Sequence, residues 1–182
     1  MRDLHEQLQE CLRGRVCLMG LGNPEYGDDG FGVRLAEELA AAGVADVVIA
    51  GASPERLLGP VCEQRFDAIV LLDAMEFGAA PGSVVVLGAS EMSSRYPQVC
   101  THKISLGLLA MWAEANGTTK VWLLGVQPES IKAGAKLSAT VAASLDSLKE
   151  LIVMRMERVI NPAAVHRGPT TKHRRLTRDY SC

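Results

Sequence analysis

A short apolar run that stops at a glycine-rich turn constrains this fold more than any other segment. The run Val16–Met19 ends at Gly20 and Gly22, and a loop then leads to Asp28 and Asp29. A strand that passes into a helix through such a turn builds a site at the carboxyl edge of a sheet. A phosphate-binding turn would leave the start of the helix free for the anion. Two carboxylates are placed there instead, which suits a cation.

Apolar, strand-like runs alternate with helical patterns along the chain. The strands are predicted at 15–21, 45–50, 67–73, 83–87 and 120–126, and the helices at 3–13, 29–42, 54–62, 104–115 and 138–159. Ser138 is predicted to cap the last of these helices. Continuous apolar strands separated by helices indicate an α/β fold: a three-layer arrangement with a mostly parallel, twisted sheet and helices on both faces.

The length of 182 residues supports one domain with a substantial core, predicted to span residues 1–160. Residues 161–182 show almost no apolar periodicity and are predicted to form a mobile, basic C-terminal tail. The basic residues singled out in this tail are Arg167, Lys172, Arg174, Arg175 and Arg178.

Composition excludes several classes of function. A net charge of −2 and an aromatic content of 4% argue against a nucleic-acid partner. No apolar run approaches the roughly 20 residues of a membrane span, and the segment 1–7 is too polar for a signal peptide. The five cysteines include no Cys-x-x-Cys pair, so we expect reduced thiols in a cytoplasmic protein. A monomer is expected.

Three metal-competent side chains are predicted to reach the carboxyl edge of the sheet. Asp29 follows the first strand, Asp73 ends the strand 67–73, and His102 precedes the helix 104–115. Two carboxylates and an imidazole suit a divalent transition ion. The alternatives are structural: Asp28 and Asp29 could cap the following helix, with capping the favoured role for Asp28. A Cys100–His102 nucleophile pair is a further alternative.

Other glycine-rich motifs fit less well. The stretch 20–25 lacks the third glycine of the dinucleotide fingerprint. Residues 20–26 resemble the start of bacterial peptidyl-tRNA hydrolase, but the histidine that this family places shortly after the tyrosine has no counterpart in 27–30. An esterase of that kind is therefore kept as an alternative function.

A four-part pattern resembles the nickel–iron hydrogenase maturation proteases. The first part is the opening, which consists of Gly20-Leu21-Gly22-Asn23 and the segment 28–34, Asp-Asp-Gly-Phe-Gly-Val-Arg. The pattern continues in 71–74, 102–106 and 124–130, in the same order as in that family. The resemblance covers roughly residues 15–158, and four parts in the correct order are more specific than any one motif.

The resemblance implies a phosphorylase/hydrolase-like α/β fold and a cytoplasmic, aspartyl-type endopeptidase. The implied substrate is the hydrogenase large-subunit precursor, which loses a short C-terminal extension after nickel insertion. The residues implied to contact nickel, which the precursor would supply, are Asp29, Asp73 and His102. Asp29 or Asp73 could alternatively hold a water as general base, and the loop 127–129 is expected to line the peptide groove. A non-catalytic nickel-site chaperone is the remaining alternative.

Overall fold

The structure, a computed structural model, describes residues 3–95, 100–101, 104–115 and 117–160. The helices are α1 Leu4–Cys11, α2 Phe31–Ala41, α3 Glu55–Cys62, α4 Ala89–Arg95, α5 Leu106–Ala115 and α6 Ala139–Ile160. The strands are β1 Val16–Leu21, β2 Val47–Gly51, β3 Ala68–Ala74, β4 Val84–Gly88, β5 Cys100–Thr101, β6 Ile104–Ser105 and β7 Lys120–Val126. In this part of the chain, no helix has both the length and the apolar character that a membrane crossing requires.

Five strands form one sheet in the order β2-β1-β3-β7-β4. β1 is parallel to β2 and to β3, and β3 is parallel to β7. β4 is antiparallel to β7 and closes one edge. The predicted mostly parallel sheet is therefore confirmed. β5 and β6 form a separate antiparallel pair.

Helices cover both faces of the sheet. One apolar layer joins α1, α2 and α6 to the sheet through residues such as Leu18 and Val70, while the other joins α3, α4 and α5 through Met19 and Leu71. Successive side chains of a strand point to opposite faces, so both faces are apolar because both are covered. The predicted three-layer α/β fold is confirmed.

Most predicted elements lie within about two residues of their observed positions, and two features differ. The sequence analysis missed α4, a seven-residue helix that buries only Ala89 and Met92 and so carries almost no periodic signal. The helix predicted at 104–115 begins at Leu106, because Ile104 and Ser105 pair with β5 instead. The predicted tail, 161–182, lies outside the described residues, so the domain boundary stays a prediction.

Two glycines let α2 lie against the ends of β1 and β3. A side chain at Gly32 would collide with the carbonyl oxygens of Leu72 and Leu21, and one at Gly20 would collide with Gly32 and Ala36. The N-terminal turn of α2 therefore touches both strands where they end. This contact places the acidic segment that precedes α2 at the carboxyl edge of the sheet.

Asp28 is fully buried and joins two loops of that edge. Its Oδ2 accepts hydrogen bonds from the backbone N–H groups of Glu129 (2.8 Å) and Ser130 (2.9 Å), and its Oδ1 accepts one from Ser138 (2.6 Å). Burial raises the pKa of Asp28, but the hydrogen bonds from Ser138, Ser130 and Glu129 outweigh it and hold the pKa below its ordinary value. The carboxylate thus stays charged inside the protein.

The prediction that Asp28 caps the following helix is wrong. Asp28 lies in a 3-10 turn, Gly27–Gly30, and makes no side-chain capping bond to that turn or to α2. Its side chain points instead to the loop between β7 and α6, where three free N–H groups offer more hydrogen bonds than a helix start would. The predicted cap at Ser138 is confirmed, because its Oγ accepts the N–H of Val141 (3.4 Å).

We predict that Asp28→Asn destabilises the fold by roughly 2–4 kcal/mol, or about 5–10 °C in Tm at pH 7. The amide cannot accept all three N–H groups, and its own NH2 group must face donors. Thermal unfolding followed by circular dichroism measures the shift. Asp46→Asn is the matched control, because Asp46 lies at the opposite edge of the sheet and pairs with Arg15 at 3.5 Å. Equal Tm values for the two variants would contradict the stabilising role of the three hydrogen bonds that Asp28 accepts.

Candidate active site

The crevice between β1 and β3 is the topological switch point of the sheet. β1 lies between β2 and β3, and the helix that follows β1 covers one face while the helix that follows β2 covers the other. Ligands bind at such a point, outside the carboxyl ends of the strands. Asp29 follows β1 and Asp73 lies near the end of β3, so the structure brings these two predicted site residues to the switch point.

The loop after β1 holds Asp29 in a defined position. The N–H of Asn23 donates to Asp29 Oδ2 at 2.7 Å, while the Asn23 side-chain oxygen accepts the N–H of Glu25 at 3.0 Å. Gly22 has a φ of 97° and its α-carbon approaches the Asp29 carbonyl so closely that no side chain would fit. Asp29 is half-buried, and no described residue donates to its Oδ1.

Asp73 is buried, with 3% of its surface exposed. Its Oδ1 accepts the N–H of the next residue, Ala74, at 2.9 Å. Burial and then the negative charge of Asp29 raise the pKa of Asp73 to about 8, and the bond from Ala74 only partly opposes them. Among the described residues, no basic side chain contributes to this shift. Within the described part of the chain, the Asp29–Asp73 pair therefore has no compensating cation, and its second negative charge is disfavoured at neutral pH.

The third predicted site residue, His102, lies outside the described residues. The backbone on either side of it is described: Thr101 pairs with Ile104, and Cys100 pairs with Ser105. Within the part of the chain that the structure describes, no three histidine, cysteine or acidic side chains are close enough together to hold a metal ion. The site assignment of His102, and the Cys100–His102 alternative, stay predictions.

The described thiols are poor nucleophiles. Cys11 and Cys17 are buried, and burial is the main cause that raises the pKa of each to about 12. Burial also raises the pKa of Cys62, which is partly exposed. Because the thiolate is the reactive form, these three cysteines are poor candidates for a nucleophile, and Asp29 and Asp73 are the candidate reactive groups that the structure describes at this edge.

Gln127 has a different position from the one expected. It was expected to help line the peptide groove, but it is only 4% exposed. Its Oε1 accepts the N–H groups of Phe77 (2.9 Å) and Ala79 (3.3 Å), and its Nε2 donates to Glu76. Gln127 thus fixes the segment that follows Asp73 on the neighbouring strand.

Glu76 and Gln127 were missed as partners by the sequence analysis. The available signal was their position, because Glu76 lies just after β3 and Gln127 just after β7, which are adjacent parallel strands. Polar residues just beyond neighbouring parallel strands meet at one edge. Glu76 and Gln127 support the candidate site, since they hold the loop that follows Asp73.

Comparison with known proteins identifies a family. The family model described as hydrogenase maturation protease matches residues 33–155. The hydrogenase 3 maturation protease of Escherichia coli (strain K12) is 31% identical over 117 residues, which is 63% of this chain and 73% of the relative. The hydrogenase 2 maturation protease of the same strain is 28% identical over 76% of this chain and 88% of its own length.

A solved structure agrees with these sequence matches. The crystal structure of a NiFe hydrogenase maturation protease from Thermococcus kodakarensis KOD1 superposes with a TM-score of 0.73 at 28% identity. The match covers 82% of this chain and 98% of that one. Since the family model spans more than half of the 182 residues and the fold is shared along most of the chain, the protein belongs to the hydrogenase maturation protease family and is a peptidase.

Proposed function

We propose that this chain removes a C-terminal extension from the large-subunit precursor of a nickel–iron hydrogenase after nickel has been inserted. Its relatives are named as maturation proteases of hydrogenases, which supports a role in hydrogenase maturation and the precursor as partner. The extension as the cleaved segment, and nickel as the signal, are our proposal. So are a cytoplasmic location and action as a monomer.

The observation that carries the proposal is the carboxylate pair at the switch point. Asp73 is buried beside Asp29, and no described basic side chain offsets their negative charge. A cation that arrives with the substrate would replace the proton that Asp73 holds at neutral pH, because it stabilises the charged form of the carboxyl group. Carboxylates alone suit harder ions, whereas nickel takes nitrogen and sulfur ligands readily. Thiolates of the precursor, together with Asp29, Asp73 and His102, would give nickel a mixed set of ligands.

The free carboxylate oxygens define what the chain itself can do. Asp29 Oδ2 accepts the N–H of Asn23, so its Oδ1 is available to a ligand. Asp73 Oδ1 is occupied by Ala74, so its Oδ2 is available. One carboxylate can contact the nickel of the substrate while the other accepts a proton from the water that attacks the scissile carbonyl. The nickel can also polarise that carbonyl as a Lewis acid.

Family membership favours this function over the two alternatives from the sequence. An esterase for peptidyl-tRNA and a non-catalytic nickel-site chaperone both lack support from the relatives, which are named as proteases. The two alternatives remain distinguishable by experiment. The esterase would release peptide from tRNA, and the chaperone would bind the precursor without shortening it.

We predict that Asp29→Asn, Asp73→Asn and His102→Ala each lower precursor cleavage by roughly a hundredfold or more, as expected for loss of a group that acts on the reacting atoms. Cleavage is followed by mass spectrometry of the precursor, and folding by circular dichroism. Asp46→Asn, the same chemical change at the opposite edge, should retain activity. Full activity in any of the three site variants would remove that residue from the site.

We predict that nickel-free precursor remains uncut at an enzyme concentration that fully processes nickel-loaded precursor. In the proposed mechanism, Asp29 and Asp73 contact the nickel of the precursor, and this contact places the scissile bond beside the two carboxylates. The two precursor forms are incubated with the same enzyme and compared on a denaturing gel. Zinc-loaded precursor is the control for specificity toward the metal. Equal rates with nickel-free and nickel-loaded precursor would contradict a nickel checkpoint.

We predict that Asp73→Asn raises the Tm of the metal-free enzyme by roughly 5 °C at pH 8, with a smaller gain at pH 5. The pKa of Asp73 is about 8 in the fold, against about 4 when unfolded. Protonated Asp73 therefore costs the fold no stability below pH 4. As the pH rises towards 8, the fold loses stability because Asp73 ionises more readily in the unfolded chain. Asparagine cannot ionise and avoids this loss. Thermal unfolding in chelator at several pH values measures this.

Asp28→Asn is the opposite control for this pH series. The pKa of Asp28 is lowered, so Asp28 stays ionised from pH 5 to pH 8, and its removal should cost the same stability throughout that range. An Asp73→Asn variant whose Tm runs parallel to the wild type across the series would show that Asp73 is already ionised in the fold.

A further inference from the structure

The solvent face of α5 is apolar along its whole length. Leu108, Met111 and Trp112 are 59%, 46% and 52% exposed, and Ala115 is exposed as well. Their spacing of three, four and seven residues from Leu108 places them on one side of the helix. We name these four residues the α5 stripe.

The one charged residue of α5 does not join the stripe. Glu114 is half-buried, and its Oε1 accepts the backbone N–H of Val121 at 3.0 Å, at the start of β7. A surface helix ordinarily exposes its charged residues and buries its apolar ones. In α5 both sides are apolar, which is typical of a helix that is covered on both sides.

α6 shows what an ordinary exposed face of this protein looks like. It also exposes a leucine and a methionine three residues apart, Leu151 at 39% and Met154 at 50%. The same face carries the exposed acidic residues Asp146, Glu150 and Glu157. Scattered apolar residues among charges need no partner. The difference between α5 and α6 is therefore one of pattern, since both helices lie on the outside of the sheet.

The position of the α5 stripe links it to the active site. β7 ends at the carboxyl edge of the sheet, and α5 precedes β7, so α5 begins near that edge. Leu108 is the third residue of the helix. Two loop residues of the same edge, Tyr26 and Ile131, are also exposed, at 46% and 61%. A substrate protein that reaches Asp29 and Asp73 has apolar surface available beside the crevice.

We infer that the α5 stripe is the docking surface for an apolar face of the large-subunit precursor, next to the segment that is cleaved. This inference rests on the proposed function. Tryptophan and methionine are enriched in protein interfaces, and charged residues are depleted at their centres. A stripe without charge fits an apolar partner surface. Binding there holds the scissile segment near the crevice without using the metal.

The chain's own C-terminal residues are a poor match for this surface. They follow α6, which lies in the opposite layer from α5. Residues 161–182 carry five lysine and arginine side chains, against three large apolar ones, Val165, Leu176 and Tyr180. A second copy of the chain is the competing occupant, and the experiment separates it from the precursor.

The test compares two matched double variants. Leu108→Gln with Met111→Gln changes the two residues of the stripe that lie nearest the start of α5, and Leu151→Gln with Met154→Gln makes the same change on α6. Glutamine keeps the helix propensity. We expect the first variant to raise KM for nickel-loaded precursor, and the Kd of precursor for inactive Asp29→Asn enzyme, by about tenfold or more. We expect kcat to stay within about twofold, and the α6 variant to match the wild type.

The outcomes separate the two proposals. A wild-type enzyme that leaves the precursor whole contradicts the proposed function, while the Kd measurement still decides the docking surface. Normal cleavage with an unchanged Kd and KM in the stripe variant overturns the docking inference alone. Sedimentation velocity gives the last comparison: a wild-type dimer that the stripe variant converts to monomers, with unchanged Kd, would assign the surface to a second copy.

Discussion

One buried carboxylate determines how the edge of this sheet is built. Asp28 accepts three backbone N–H groups from the loop between β7 and α6, and it stays ionised because those bonds outweigh its burial. The turn after β1 is therefore fixed to the start of α6. Asp29, the next residue, has its backbone held by the same turn. The three hydrogen bonds of Asp28 thus fix the position of the loop that carries Asp29, the candidate site residue.

Asp28 and Asp73 show how the environment shifts the pKa values of two identical side chains in opposite directions. Asp28 is buried among donors, which favour its charge, whereas Asp73 is buried with one donor and a negative neighbour, which disfavour it. Only at Asp73 is the charged form disfavoured, so only there would a bound cation stabilise the carboxylate. A stable structural carboxylate and a carboxylate suited to receive a cation can therefore lie at the same edge, in one small domain.

The sequence was sufficient for the layers, the parallel strands and the position of Asp29 and Asp73, because strand ends and apolar periodicity determine these directly. It was insufficient for Asp28, whose partners lie about 100 residues away along the chain, and for Gln127, whose partners lie about 50 residues away. Both bond to backbone N–H groups, which carry no side-chain signature. α4 was missed because a seven-residue polar helix has too few buried positions to show a period.

In the function that we propose, recognition in two parts would make the enzyme selective for nickel-loaded precursor. A docking surface without charge supplies affinity that is the same for nickel-loaded and nickel-free precursor, so it cannot discriminate between them. The carboxylate pair would supply the difference, since the charged form of Asp73 is disfavoured in the fold and a cation on the substrate would stabilise it. Docking raises the effective concentration of the scissile segment at the crevice, so the contact to nickel can be weak and still decide whether the bond is cut. Tight docking and a weak metal contact together would make cleavage conditional on the metal rather than on the abundance of precursor.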